Sequence, residues 1–408
     1  MSVGQYAYDW RDGVNVDRMR KERLERARVM MKKHNLKALL CMDPTNVRYV
    51  TSTITPPWMI RVPGWRYCLL VEGRTPVLWE HGDIRYTTKE QCSWLDKVKY
   101  GIVWMRGQPG PQSEHIAKLW AEDLKKELKE QGVEKETIGL DAPEMLSTKA
   151  LNDAGIKWTD GQTPMIEARV IKTKDELECL RIGAAICDAI LDRVKHTIRP
   201  GVREVDLVGL GYKVGYEYGM DDIIGFTVCS GPYGWPNFKY YTDRMIRPGD
   251  AVTYDIGGAS WNGYKTCYYR TFSCGQPSQK LKDYYQQSLD YINSAIRKVK
   301  PGATTADLVK EWPDATKEWG YESEWEAIAN EWGHGLGLSL YEPPTVSRIF
   351  SLDFPYTLKE NMAFALETQQ GSMKEKIGVR VEEMLIVTSS GVEIISKYPV
   401  DEITVCPL

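Results

Sequence analysis

Two stretches of the chain repeat one order of residue types. IRPGVREVDLV occupies 198–208 and VKPGATTADLV occupies 299–309; each runs from an aliphatic and a basic residue through Pro-Gly and a short polar stretch to Asp-Leu-Val. A Pro-Gly turn followed by a helix start, twice and about one hundred residues apart, is too widely spaced for a solenoid, whose repeats fall at roughly 20–50 residues. A duplicated α+β unit with pseudo-two-fold symmetry accounts for it, with chance likeness of two short helix starts as the rival reading. Duplication constrains the fold strongly, because two related halves must pack together and a site can form where they meet.

The repeat fills only the later part of 408 residues. A single core rarely grows beyond about 250–300 residues, so an earlier domain is expected. Residues 17–34 read as a charged helix with Leu24, Ala27 and Met31 on one face, followed by a strand at 38–42 and β-rich runs at 67–71 and 76–79. A helix over 114–131 and a strand near 137–140 continue the alternation, which predicts an α/β domain over 1–163 and a second domain over 164–408. Thr173-Lys174-Asp175-Glu176 opens the second domain's first long helix as a capping box, with Leu177, Leu180, Ala184 and Cys187 on one face.

Lys and Arg (53) nearly balance Asp and Glu (56), which gives no electrostatic reason to expect nucleic acid or an anionic membrane. A small or peptide-like partner fits better. No apolar run approaches the roughly 20 residues of a membrane helix, and the charged start lacks a signal-peptide core. Nine cysteines without a CxxC pair point to a reducing compartment, so a cytoplasmic protein is expected.

Five ionisable residues stand in β-like or glycine-rich runs: Asp255 in AVTYDIGG, Cys267 in YKTCYYRTF, His334 in EWGHGLGL, Glu367 in MAFALETQQG and Glu382 in GVRVEEMLIVT. Such groups are costly to bury unless a metal, an arginine or one another satisfies them. With Asn262-Gly263 as a two-residue turn, strict pairing puts Asp255 and Cys267 on opposite faces; one bulge at Gly257-Gly258 brings them together. A Cys267 thiolate favours Zn or Fe over Mn. The competing reading of Cys267 is a small apolar residue on a buried strand.

The order of these motifs, with the IKTKDELECLRIGAA helix before them and DPTNVRYVTS in the first domain, resembles the methionine aminopeptidase, prolidase and creatinase superfamily. The resemblance implies a pseudo-two-fold α+β pita-bread catalytic domain, a creatinase-type α/β N-terminal domain and a homodimer. It implies metal ligation by Asp255, the residue at 267, His334, Glu367 and Glu382, with two ions, one, or none. Three positions depart from the peptidases: Cys267 stands for aspartate, and Phe238 and Tyr341 stand where they have histidines. DPTNVRY, the Arg66-Tyr67-Cys68 run and the SGP segment are similar to the dimethylsulfoniopropionate lyase branch.

The expectation is therefore a metal-assisted lyase or hydrolase of a small carboxylate-bearing, onium-type molecule, with His334, Glu367 and Tyr341 as catalytic candidates. Arg66 and Arg380 are candidates for holding its carboxylate, Arg66 from the partner subunit; an ion pair with Glu382 is the competing reading for Arg380. Trp58, Trp65, Tyr233 and Trp235 are candidates for a cationic cage, against ordinary loop packing. An Xaa-Pro dipeptidase and a non-catalytic binding protein on the same fold are the alternatives.

Overall fold

A computed structural model describes residues 13–104, 108–327 and 331–408. The chain divides into two compact units between Arg169 and Val170, six residues beyond the expected boundary. The reason lies in the last helix of the first unit, which is tied back to that unit. Tyr49 donates to the Ala168 carbonyl at 2.8 Å, His34 meets Glu167 at 2.8 Å, and Arg169 bonds Asn46.

The first unit has six strands: β1 (Ala38–Cys41), β2 (Tyr67–Val71), β3 (Val77–Glu80), β4 (Lys97–Tyr100), β5 (Ile138–Leu140) and β6 (Trp158–Asp160). They form one mixed sheet in the order β4-β3-β2-β1-β5-β6. Helices α1 (Val16–Lys33), α2 (Pro44–Thr51), α3 (Ile84–Gln91), α4 (Ser113–Glu130), α5 (Met145–Asp153) and α6 (Gln162–Val170) accompany it. Its core carries much of the unusual tryptophan content: Trp79, Trp104 and Trp120 are fully buried around Tyr67, whose ring stacks on Trp79 at 5.1 Å. On α1 the buried stripe is Met19, Arg23, Ala27 and Met31, so Arg23 replaces the expected Leu24. Its guanidinium donates to the Ser52 hydroxyl through Nη2.

The second unit opens with α7 (Lys174–Lys195), whose Thr173–Glu176 capping box is fully formed, and α8 (Glu204–Glu217). Strands β7 (Asp222–Ser230), β8 (Ala251–Trp261) and β9 (Tyr264–Cys274) follow, then α9 (Gln279–Ile296) and α10 (Thr305–Val309). The remaining strands are β10 (Gly333–Gly335), β11 (Glu342–Val346), β12 (Ala363–Ser372), β13 (Ile377–Val387), β14 (Val392–Ile394) and β15 (Thr404–Cys406). They make two sheets, β15-β9-β8-β7 and β11-β10-β12-β13-β14. Helices α7 and α8 cover the first and α9 covers the second. The sheets meet where the Thr271 hydroxyl of β9 donates to the Arg380 carbonyl of β13 at 2.7 Å and accepts from its N–H at 3.0 Å.

The sequence repeat is a structural repeat. Gly201 and Gly302 both adopt the left-handed region, at φ +89° and +87°, and their N–H groups bond the carbonyls of Ile246 and Leu358, each at 2.9 Å. The return bonds, Ile246 to Val202 and Leu358 to Ala303, are both 2.8 Å. Asp206 and Asp307 then cap α8 and α10 by accepting from the N–H of Arg203 and Thr304. Counting on from Ile246 and Leu358, Asp255 and Glu367 each come nine residues later. They are equivalent positions of the two halves. Among the described residues no helix is long and apolar enough to cross a membrane.

Candidate metal centre

Strand alternation decides which side chains converge. On β8 and β9, Tyr254 donates to the Leu207 carbonyl of α8, Tyr268 bonds Asp188 of α7, and Thr266 shares a hydrogen bond with Cys187 of α7. These residues face the helices, so Asp255, Cys267 and Tyr269 face away. They share that face because the ladder slips: Ser260 pairs with Lys265, yet Gly257 pairs with Cys267 and Asp255 with Tyr269. The extra residue is accommodated at Gly258, φ +69°, ahead of a turn in which Asn262 and Gly263 both have positive φ. Across the inter-sheet crevice Glu367 pairs with Glu382, Gln369 with Arg380, and His334 with Ala365.

The resulting cluster is tight. The Cys267 thiol lies 3.8 Å from Glu382 Oε2 and 4.0 Å from Asp255 Oδ1, while His334 Nε2 lies 4.0 Å from Glu382 Oε1. One ligand atom from each of Cys267, His334 and Glu382 falls within a mutual 4.8 Å, as do atoms of Glu331, His334 and Glu367. Among the described residues Glu382 Oε1 is buried without a hydrogen-bond partner. An orphaned carboxylate oxygen, a thiol, an imidazole and further carboxylates in one buried place form a donor set that fits a divalent cation.

The electrostatics agree. Burial raises Glu382 and Cys267 well above their ordinary values, with Glu367 and Glu382 respectively as the largest charged contributors. Asp255 is raised by burial to about 6, against hydrogen bonds from Thr227 and Tyr269 that pull it back. Glu367 is raised by burial to about 8 despite Arg380, and Glu331 by burial to about 7. These carboxyls resist ionising together until positive charge is supplied. His334 is lowered by burial to about 4, so it is neutral near pH 7. Its Nδ1 faces the Gly335 carbonyl at 3.3 Å, which can only accept; Nδ1 therefore carries the proton and Nε2 is left bare.

Several expected site residues lie elsewhere or act differently. Arg66 is corrected: only 1% exposed, it forks Glu80 at 3.0 and 2.6 Å and donates to Thr53 and Thr55, leaving no free face for a substrate. Trp235 is corrected too, because its ring is buried over Gly371 and Gly378 and beside Trp319 and Tyr321. Tyr233 is half-exposed beside Phe238. In the first unit Trp58 is exposed and Trp65 stacks on His81. Arg380 pairs with Glu367 at 3.7 Å rather than with Glu382, and donates to Gln369 and Tyr269. Tyr341 is largely exposed, with its ring 4.6 Å from that of His334. Glu383 points the other way, to Arg270 and Ser396.

Three participants escape the sequence reading. Tyr269 was recoverable, since the bulge that turns Cys267 inward turns Tyr269 with it. Glu331 has no distinguishing mark among the acidic residues of GYESEWEAIANEW. Lys239, whose charge acts on Glu367, Glu331 and Asp255, comes from a loop whose left-handed backbone at φ +55° no periodicity foretells.

Comparison with known proteins agrees with this architecture. Residues 178–389 match the profile of metallopeptidase family M24, and residues 23–171 match the creatinase/prolidase N-terminal domain. A probable dipeptidase PepE of Mycobacterium tuberculosis is 29% identical over 240 residues, 59% of this chain and 62% of that protein. A Xaa-Pro dipeptidase of Pyrococcus furiosus is 29% identical over 236 residues, 57% of this chain and 64% of that protein. The matched region thus spans less than two thirds of these relatives' length. The solved Xaa-Pro dipeptidase from Bacillus anthracis superposes with a TM-score of 0.77 at 24% identity, over 94% of this chain and 99% of that one. The leaning towards the sulfonium lyase branch is corrected, since these relatives carry dipeptidase names.

Proposed function

Because the chain belongs to metallopeptidase family M24, we propose that it is a metal-dependent peptidase of short peptides, with dipeptides carrying proline in second position as its substrate class. The names of its relatives support the class. The observation that carries the reading is the burial of Asp255, Cys267, His334, Glu367 and Glu382 around one centre, with a carboxylate oxygen left unsatisfied. Asp255, His334, Glu367 and Glu382 would hold the ion, with Cys267 beside them. When bound, the ion supplies positive charge that polarises a scissile carbonyl and acidifies water.

The chain's own residues do the rest. His334 offers a bare ring nitrogen. Glu331, with a value near 7, exchanges its proton close to neutral pH, and takes the acid–base part that the resemblance gives to histidines where this chain has Phe238 and Tyr341. Tyr341, whose phenol burial raises, keeps its proton and would offer it to a bound substrate at the exposed rim. Lys239 and Arg380 set positive charge against the acids, which suits a substrate carboxylate. A cytoplasmic homodimer belongs to the same proposal; light scattering at the mass of a single 46.6 kDa chain would count against it.

The test offers chelator-treated protein, reloaded with Zn, Co or Mn, a panel of Xaa-Pro dipeptides, with dimethylsulfoniopropionate as the control. Free proline should appear only in the loaded protein, and no thioether from the control. Stoichiometric metal without proline release across the panel would overturn the peptidase reading.

A further inference from the structure

We propose that the loop 231–239 stops the crevice one step beyond the acid cluster, and that Trp235 thereby limits substrates to two residues: the proline carboxylate lies against Arg380, and no room is left for a residue after it. The inference rests on the peptidase reading and adds the residue that sets substrate length.

The ladder of β12 and β13 runs without a break, so successive pairs on its crevice face are Glu367–Glu382, Gln369–Arg380 and Gly371–Gly378. Trp235 lies on the third pair. A Cβ on Gly378 would come within 2.9 Å of the Trp235 ring and 2.5 Å of the Gly234 carbonyl oxygen, and a Cβ on Gly371 would overlap that ring outright. Side chains at these two positions would expel the indole; glycines seat it. The ring is 1% exposed and is backed by Tyr321, parallel to it within 6° at 6.4 Å, and by Trp319 at 6.0 Å. The same loop covers the opposite sheet. There the Asp255–Tyr269 pair is followed on its face by Thr253–Thr271, and Asn237 donates to the Thr253 hydroxyl at 3.3 Å while its side-chain oxygen accepts from the Lys239 N–H at 2.8 Å. The loop thus spans the crevice from sheet to sheet.

Length follows from the spacing of the rows. Two residues of a strand advance roughly 6.5–7 Å, and one extended residue of a peptide about 3.3–3.6 Å. Between the acid pair and the pair under Trp235 lies the single row Gln369–Arg380, which has room for one residue and its carboxylate but not for two residues. Charge sets the orientation. Arg380 stands in that row, 3.7 Å from Glu367 and 2.9 Å from Gln369, and its Nε is buried without a hydrogen-bond partner among the described residues. A terminal carboxylate arriving there meets an open guanidinium N–H. A peptide that continues brings a neutral amide instead and then collides with the indole.

Metal-loaded wild type, Trp235→Ala and Trp235→Phe are assayed on Met-Pro and Met-Pro-Ala by release of free methionine, with metal content from elemental analysis and folding from circular dichroism. Wild type should favour the dipeptide in kcat/KM by about a hundredfold or more, since the longer peptide is rejected by a clash. Trp235→Ala should narrow that preference about tenfold or more, through a lower KM for Met-Pro-Ala, at unchanged metal content. Trp235→Phe, which keeps a ring over the glycines, should retain the preference. If the alanine variant does not fold, competition in wild type decides: Met-Pro-Ala at the KM of Met-Pro should leave dipeptide cleavage unaltered. Equal cleavage of both peptides by wild type, a full preference surviving in folded Trp235→Ala, or competition by the tripeptide as strong as that of a second dipeptide overturns the inference and leaves the peptidase reading intact. Metal-loaded protein that cleaves neither peptide removes both.

Discussion

Asp255, Glu331 and Glu367 share one property: in the folded chain each holds its proton to a higher pH than an unfolded chain would. The sign of the consequence is fixed. With folded values near 6, 7 and 8 against ordinary values near 4, their stabilisation is complete at low pH and is lost as pH rises through the folded values. His334 acts oppositely, losing stability as pH falls from 6.5 through about 4, so the window from pH 6.5 to 8.5 isolates the carboxyls. Metal-free protein should show a falling Tm across that window, and saturating zinc should flatten it; a flat or rising metal-free profile would refute the burial account. At Glu331 the prediction is catalytic. Glu331→Gln should retain the metal, measured by elemental analysis, and lose proline release by about a hundredfold or more, the usual contribution of a proton-transfer group. Asp255, His334, Glu367 and Glu382 were legible because each is a polar residue inside an apolar or glycine-rich run. Glu331 and Lys239 were not, because a loop residue carries no period.

The hairpin of β8 and β9 converts one glycine into site geometry. A Cβ at Gly258 would sit 2.5 Å from Ile224 Cδ1, on a backbone at φ +69° that side chains resist. Gly258→Val should cost about 1–3 kcal/mol by denaturant melts and weaken metal binding more than Gly225→Ala, where a Cβ meets open space. A variant that melts normally and binds metal like wild type would show that the bulge is not what aims Asp255. The bulge, the turn and the capping box were all readable from local residue chemistry, since glycine, Asn-Gly and Thr-x-x-Glu act through their own backbones. The paired hydrogen bonds of the two Pro-Gly turns were legible only as a repeat of letters; their partners, Ile246 and Leu358, lie tens of residues away and needed the fold.

Two units with separate cores imply two separable responses. Calorimetry of the whole chain should resolve a transition that moves upward with added zinc, from the unit containing His334, and another that does not move. Arg66→Ala strips a buried carboxylate, Glu80, of its charged partner and leaves it only the His81 N–H and the Thr88 hydroxyl, and should lower the unresponsive transition by an amount equivalent to about 3–5 kcal/mol while metal content stays unchanged. Movement of the zinc-responsive transition instead would assign Arg66 a wider role. Chain length and alternating elements revealed two domains, but the exact boundary depended on tertiary hydrogen bonds of α6, which no composition shift marks. The extra residue at Gly258 also gives the gene an uneven tolerance for length variation. Dropping that one codon leaves the pairings of Gly257 with Cys267 and Asp255 with Tyr269 available in an unbroken hairpin, whereas adding a codon there demands a second kink or turns the acid towards the helices. Shortened descendants should outnumber lengthened ones at this point, and a small library of deletions and insertions, scored for bound cation, would reveal the asymmetry.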